Sequence, residues 1–322
     1  MDPVVYFFVL GVVARLLRSD LKLPGVLYES LTIYLLLAIG IKGGVELASH
    51  PHGAMLGQIM AALGVGVALP LLAYPVLRFG GKFDGCNAAA IAAHYGSVSV
   101  VTFAVAVTYL GRHNESYEAY MPLFVALLEA PGIIVGIFLG RMAEGGRELR
   151  WPALLREVLL GKSIVLLLGG LAIGWLAGPQ TIAPLKPFFY DLFKGALCLF
   201  LLEMGLIVAA RAGDLRKAGA FLIGFGLMMP LLGGALGATV GWLVQLSVGG
   251  TTLLEVLAAS ASYIAAPAAV RLALPQANPG LSLAAALGVT FPFNIIFGIP
   301  VYYAMARFLA QLSHGNPSVV SG

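Results

Sequence analysis

The sequence predicts an all-α polytopic membrane protein of about ten transmembrane helices, built as two inverted five-helix repeats with discontinuous fourth and ninth helices. Three observations predict it. Hydrophobic residues make up 60% of the 322-residue chain and charged residues only 11%, with a mean hydropathy of +0.94, whereas soluble domains are about a quarter charged and under half apolar. The apolar residues gather into runs long enough to cross a bilayer, at about 20 residues per helical span. The basic residues then alternate from one connection to the next, as the orientation rule for membrane proteins requires.

Taken in order, the runs lie near 3–18, 29–47, 55–78, 86–110, 120–141, 163–178, 189–210, 217–246, 252–274 and 281–311. The first and sixth are short for a crossing, and the second carries Lys42 and Glu46, one helical turn apart, which read as a local ion pair near an interface. Met1-Asp2-Pro3 lacks the basic segment that opens a cleaved signal, so the first run reads as a span. Arg15, Arg18, Lys22, Arg78, Lys82, Arg141, Arg147, Arg150, Arg156, Lys162, Arg211, Arg216, Lys217 and Arg271 all follow odd-numbered runs. The remaining connections carry only Arg112, Lys186 and Lys194. Basic loops stay in the cytoplasm, so both termini are expected outside a bacterial inner membrane. Cys86 and Cys198 have no metal or redox spacing and read as structural thiols. The net charge of +4 lies in these loops and does not imply nucleic acid.

Landmarks recur along the chain in order: Pro24 and Pro187, Gly40 and Gly205, Tyr95 and Tyr263, Pro122 and Pro292. Five spans per half, an odd number, put the second half upside down relative to the first, the plan of many secondary transporters. The expected division is a first repeat at 1–142, a cytoplasmic linker at 143–162 and a second repeat at 163–322. Gly170, Gly174 and Gly178, and again Gly233, Gly237 and Gly241, repeat at four-residue spacing and read as close-packing helix faces.

The chemistry concentrates in matching positions of the halves. The fourth span holds His94-Tyr95-Gly96-Ser97-Val98-Ser99-Val100-Val101-Thr102, and the ninth holds Ser260-Ala261-Ser262-Tyr263 followed by Pro267. A Gly in one and a Pro in the other can interrupt the helix, and backbone freed in mid-membrane persists only where it lines a polar cavity. Helix starts meeting there suit an anion, and unwound carbonyls suit a small cation. Ionisable residues inside spans are costly and become candidates by default, so Glu129, Glu203 and His94 join Tyr95 and Tyr263 as ion-binding or coupling candidates. No nucleotide-binding, zinc-hydrolase or nucleophile motif is present, which argues against an enzyme. No metal centre and no cofactor are expected.

At these residues the sequence resembles the sodium-dependent bicarbonate transporters of the SbtA type. The resemblance is carried by Tyr95-Gly96-Ser97-Val98-Ser99 through Thr102, Ser116-Tyr117-Glu118-Ala119-Tyr120 leading to Glu129-Ala130-Pro131, Arg211 through Gly213-Asp214-Leu215-Arg216-Lys217, Ala259-Ser260-Ala261-Ser262, and Arg271 with Pro275, Ala277-Asn278-Pro279, Pro292 and Pro300. It implies a homotrimer, bicarbonate held between the broken helices with sodium nearby, and a PII-like regulator on the cytoplasmic face. On that basis Gly96, Ser97, Ser99, Thr102, Ser260 and Ser262 are expected substrate contacts, with sodium as the coupling ion. The position after the ninth-span serines, acidic in the best-known members, is Tyr263 here, and the linker is short. The expectation is therefore a secondary active importer of bicarbonate or a similar small anion, coupled to sodium by alternating access. Two rivals stay open: a proton-coupled antiporter or organic-anion carrier using Glu129, Glu203 or His94, and a membrane sensor or scaffold without flux.

Overall fold

A computed structural model describes residues 3–49, 55–145 and 151–315, apart from the side chains of residues 212, 214–218 and 313–315. The expected basic positions Arg147 and Arg150, and the side chains of Asp214 through Lys217, lie outside that description. Among the described residues the secondary structure is helical throughout. In chain order the helices are α1 (Pro3–Leu16), α2 (Gly25–Ser49), α3 (Met55–Pro75), α4 (Gly85–Gly96), α5 (Val100–Arg112), α6 (Met121–Ala143), α7 (Trp151–Leu159), α8 (Lys162–Ile182), α9 (Phe193–Ala210), α10 (Ala212–Leu243), α11 (Val248–Ala258), α12 (Ala266–Ala273), α13 (Pro279–Ala285), α14 (Phe291–Phe293) and α15 (Ile299–Gly315). The last three run on through the π-helical turns Ala286–Thr290 and Asn294–Gly298 as one apolar column.

Among the described residues eight helical segments are long and apolar enough to cross a bilayer, including Gly25–Ser49, Gly85–Arg112, Lys162–Leu185 and Pro279–Leu312. Two further apolar helices, Pro3–Leu16 and Val248–Ala258, stop short. These are the expected first span and the first part of the expected ninth. At about 1.5 Å per residue neither reaches across a core about 30 Å thick.

Packing sorts the helices. α1 lies along α9, and α2 along α8. Gly11 meets Gly205 at one crossing and Gly40 meets Gly170 at the other, so close that a Cβ on any of the four would strike the opposite backbone. The expected packing faces are therefore real for Gly170 and Gly174, but Gly178 leaves the row, because its backbone turns to φ 67° and kinks α8. The second row, Gly233, Gly237 and Gly241, seats α10 on Ala258, Glu255 and Thr251 of α11. The Lys42 ammonium sits 3.9 Å from the Phe193 ring centre and 5.0 Å from that of Tyr190, an interaction an aromatic face offers a partly desolvated cation. Burial separates centre from periphery. The most apolar stretch of Gly85–Arg112 is 94% buried, against 22% for Lys162–Leu185, so α4 and α5 form the centre around which the site is built.

Candidate functional site

The expected fourth span is interrupted at Ser97–Ser99. Gly96 ends α4 pressed between Pro70 of α3 and Gly132 of α6, where a side chain on either glycine would overlap the other chain segment. Ser99 then caps α5: its backbone is extended, and its Oγ accepts the Thr102 N–H at 3.2 Å and the Thr102 hydroxyl at 2.9 Å. Such a cap satisfies one of the orphan N–H groups at a helix start. The expected ninth span is interrupted over a longer stretch, Ala259–Ala265, between α11 and α12. Pro267 sits in the first turn of α12, where its missing N–H costs nothing, and Ser262 Oγ accepts the Ala266 N–H at 3.2 Å.

The two interruptions face and bond one another. Ser99 N–H donates to Ser260 Oγ at 2.9 Å, and that hydroxyl donates on to the Leu257 carbonyl at 2.9 Å. Ser262 N–H donates to the His94 carbonyl at 2.8 Å, while His94 Nδ1 lies 2.6 Å from the Ser262 carbonyl. A carbonyl only accepts, so Nδ1 carries the proton in this pair. Ser99 Oγ donates to the Tyr263 hydroxyl at 3.2 Å, and the Tyr263 ring packs edge-on against Phe291, centroids 5.4 Å apart.

Between the interruptions lies a cavity of about 10 Å³, lined by Val98, Ser99, Val100, Glu129, Ser163, Ser262, Tyr263 and Ile264. That is room for about one water. Five of the eight lining side chains carry oxygen, and one, Glu129, is a carboxyl only 3% exposed. Nothing of nitrogen or sulfur softness lines it. The arrangement suits a small hard cation, which prefers oxygen donors and gains from a nearby negative charge.

The structure thus brings Ser99, Ser260, Ser262, Tyr263, Glu129 and His94 together, and treats the other expected residues differently. Thr102 supports Ser99 and does not reach the cavity. Gly96 is a packing point. Ser97 is fully buried with its hydroxyl unpartnered among the described residues. Tyr95 is tied elsewhere: its hydroxyl lies 2.6 Å from Thr290 Oγ1, which donates to the Gly226 carbonyl at 2.7 Å, and its ring meets Phe225. Glu203 sits on α9 facing Leu23 and Tyr28, away from the cavity.

Sequence reasoning missed Ser163 and gave Ile264 no role, because neither carries a signal outside its three-dimensional neighbours. It also passed over Glu255, which the rule on intramembrane acids could have found. Glu255 is fully buried on α11 and neither carboxyl oxygen has a partner among the described residues. Nearby, Tyr302 donates to Asn294 Oδ1 at 2.8 Å, and Asn294 Nδ2 donates to the Ala259 carbonyl at 2.9 Å, steadying the start of the second interruption.

The half-helices leading into the breaks are each anchored from the opposite half of the chain. Glu118, in the segment between α5 and α6, accepts the Ser247 N–H at 2.6 Å and its hydroxyl at 3.1 Å, at the start of α11. At the start of α4, Asp84 accepts the Asn87 N–H at 2.9 Å, and Asn87 Oδ1 accepts the Asn278 N–H at 2.7 Å from the segment between α12 and α13.

A bundle of long apolar helices enclosing two facing helix breaks, with buried hydroxyls and a buried carboxyl between them, defines a polytopic membrane protein with a polar pocket inside its bundle. The chain belongs to the Na+-dependent bicarbonate transporter superfamily, whose family model matches residues 3–307. Comparison with curated proteins gives no match. Membership carries a transport role in place of an enzymatic one and a multi-pass membrane setting.

Proposed function

We propose that the protein imports bicarbonate or a similar small anion together with sodium, by alternating access around the two facing breaks. The observation that carries this reading is the water-sized, oxygen-lined cavity holding Glu129 between them. Sodium fits that space and donor set; bicarbonate, with four heavy atoms, does not fit until the breaks part. Parting them frees the Ser99 N–H from Ser260 Oγ, and an anion then takes the hydroxyl's place at the start of α5, where helix N–H groups and dipole favour negative charge. Ser97, Ser260 and Ser262 supply further contacts, while Gly96 and Thr102 act by holding Ser97–Ser99 in shape.

Glu129 makes the two cargoes depend on each other. Two unit negative charges about 6 Å apart repel by roughly 3 kcal/mol at an effective dielectric of 20, so an anion enters well only when a cation has neutralised the carboxylate. This also supplies the negative charge that Tyr263 does not. The inverted-repeat architecture is supported by the packing, because exchanging the halves turns the α1–α9 contact into the α8–α2 contact and the Glu118–Ser247 anchor into the Asn278–Asn87 anchor. Both termini outside a bacterial inner membrane, a homotrimeric assembly and a PII-like regulator on the cytoplasmic face belong to the same reading.

The test is uptake of labelled bicarbonate into proteoliposomes under an inward sodium gradient. Uptake that collapses with the gradient supports the reading. Uptake indifferent to sodium but driven by a pH gradient sinks it in favour of the proton-coupled carrier, and ligand binding without flux sinks it in favour of a sensor.

A further inference from the structure

Two cavities of this molecule share one wall. Glu129, Ser163 and Ile264 line both the small cavity between the breaks and a larger one of about 270 Å³. The larger cavity also meets Ile133, Glu157, Lys162 and Ala268. Glu157, Lys162 and Ala268 are exposed, so this space opens at the end of the molecule where α7 gives way to α8. The cavity of about 470 Å³ bordered by Arg112, His113 and Ile295 shares no lining residue with the small one. Among the described residues, the cavity between the breaks is thus thinly bounded on the Lys162 side.

We infer that Glu129, Ser163 and Ile264 form an inner gate between the cavity that holds the co-transported cation and a vestibule opening beside Lys162, and that the cation leaves through it. This rests on the transport reading above. The three residues divide the work by where they are mounted. Glu129 lies inside α6 and Ser163 in the first turn of α8, 3% and 4% exposed, both within helical backbone. Ile264 lies in the unwound Ala259–Ala265 stretch, half-buried and outside any helix. An apolar side chain on the one non-helical wall is the part free to swing, and while in place it keeps vestibule water off the buried carboxyl and hydroxyl. The basic Lys162 and acidic Glu157 at the mouth leave it without a strong field of one sign, so the selective charge is the one behind the plug, Glu129.

Cysteine accessibility in proteoliposomes tests this without relying on flux. In a background of Cys86→Ser and Cys198→Ser, Ala268→Cys should react with a membrane-impermeant methanethiosulfonate reagent applied on the Lys162 side and not on the Arg112 side. Ser163→Cys should react slowly, and adding Ile264→Ala should speed it several-fold from the Lys162 side, with sodium slowing it again. Ile264→Val, the milder change, should give a smaller acceleration in the same direction. Unchanged Ser163→Cys labelling in both Ile264 variants, or labelling from the Arg112 side, overturns the gate. If wild-type uptake is sodium-driven while that labelling stays unchanged, the gate fails and the transport reading stands. If the labelling follows expectation but no sodium-driven uptake occurs, the passage stands and the transport reading fails.

Discussion

The two helix breaks are the same device built in two ways. The first spans Ser97–Ser99, closes on its own Ser99 cap, and sits in the most deeply buried of the long segments. The second spans Ala259–Ala265 and is held largely from outside, by His94 in the last turn of α4 and by Asn294 of the column that follows. Their tyrosines show the same contrast. Tyr95 spends its hydroxyl on Thr290, away from the cavity, while Tyr263 turns its hydroxyl into the cavity to meet Ser99. The first break is short and capped by its own serine, and the second is a longer loop braced from outside. In the transport reading proposed above, coupling falls to the carboxyl that lines the cavity between them, Glu129.

The strongest way to break this picture is Glu129→Gln. The amide keeps the volume and removes the charge, so the anion should no longer need sodium. The expected result is a loss of roughly 5–150-fold in the sodium dependence of bicarbonate uptake, the span of ordinary coupling energies. Sodium dependence preserved in this variant would remove Glu129 from the coupling.

Next in size is the brace between the breaks. His94→Ala strips the donor from the buried Ser262 carbonyl, which should cost about 1–3 kcal/mol of stability, the penalty of an unsatisfied buried group. His94→Asn places an amide N–H near the former Nδ1 and should recover part of it, as read by thermal unfolding in detergent. A smaller effect is expected for Ser99→Ala, about 1 kcal/mol for a lost helix cap, with slower uptake, because the same oxygen serves Thr102 and Tyr263. If His94→Ala and Ser99→Ala unfold alike, the two breaks are not differently braced.

How much of this was legible in the sequence follows from what periodicity can encode. The helical membrane class and the two interruptions follow from apolar runs and from Gly96 and Pro267, which act locally. The pairing of α1 with α9 and α2 with α8 was not legible, because a glycine row shows a close-packing face but not its partner. Tyr95 and Tyr263 occupy matching positions in the sequence, and only the surrounding helices decide that one is a strut and the other a cavity wall. Ser163 opens an apolar run in the second half yet lines the same cavity as Glu129 of the first, a relation no local pattern contains. Glu255 was legible by the rule for buried acids and was overlooked.

The smallest expected effect separates the two anchors that hold the half-helices. Glu118 reaches across to the start of α11 from the other half, whereas Asp84 caps its own helix, α4. Burial works to raise the Asp84 carboxyl, but the Asn87 N–H and side-chain amide, with the N–H groups of Asp84 and Cys86, outweigh it and hold the group below the usual carboxylate range. A carboxyl lowered in the folded protein stabilises above its unfolded value, about 3.9 for Asp, and that contribution disappears as the pH falls through the folded value. Asp84→Asn keeps a capping oxygen and removes the titration. It should cost only about 0.3–1 kcal/mol at neutral pH, the worth of a charge at a helix start, and the difference from wild type should shrink as the pH falls through the acid range. Melting curves at neutral pH and along an acid series read this directly. A gap that stays constant with pH would mean that the Asp84 charge contributes nothing to the α4 anchor, leaving the Asn87–Asn278 bond to hold that end of the first break alone.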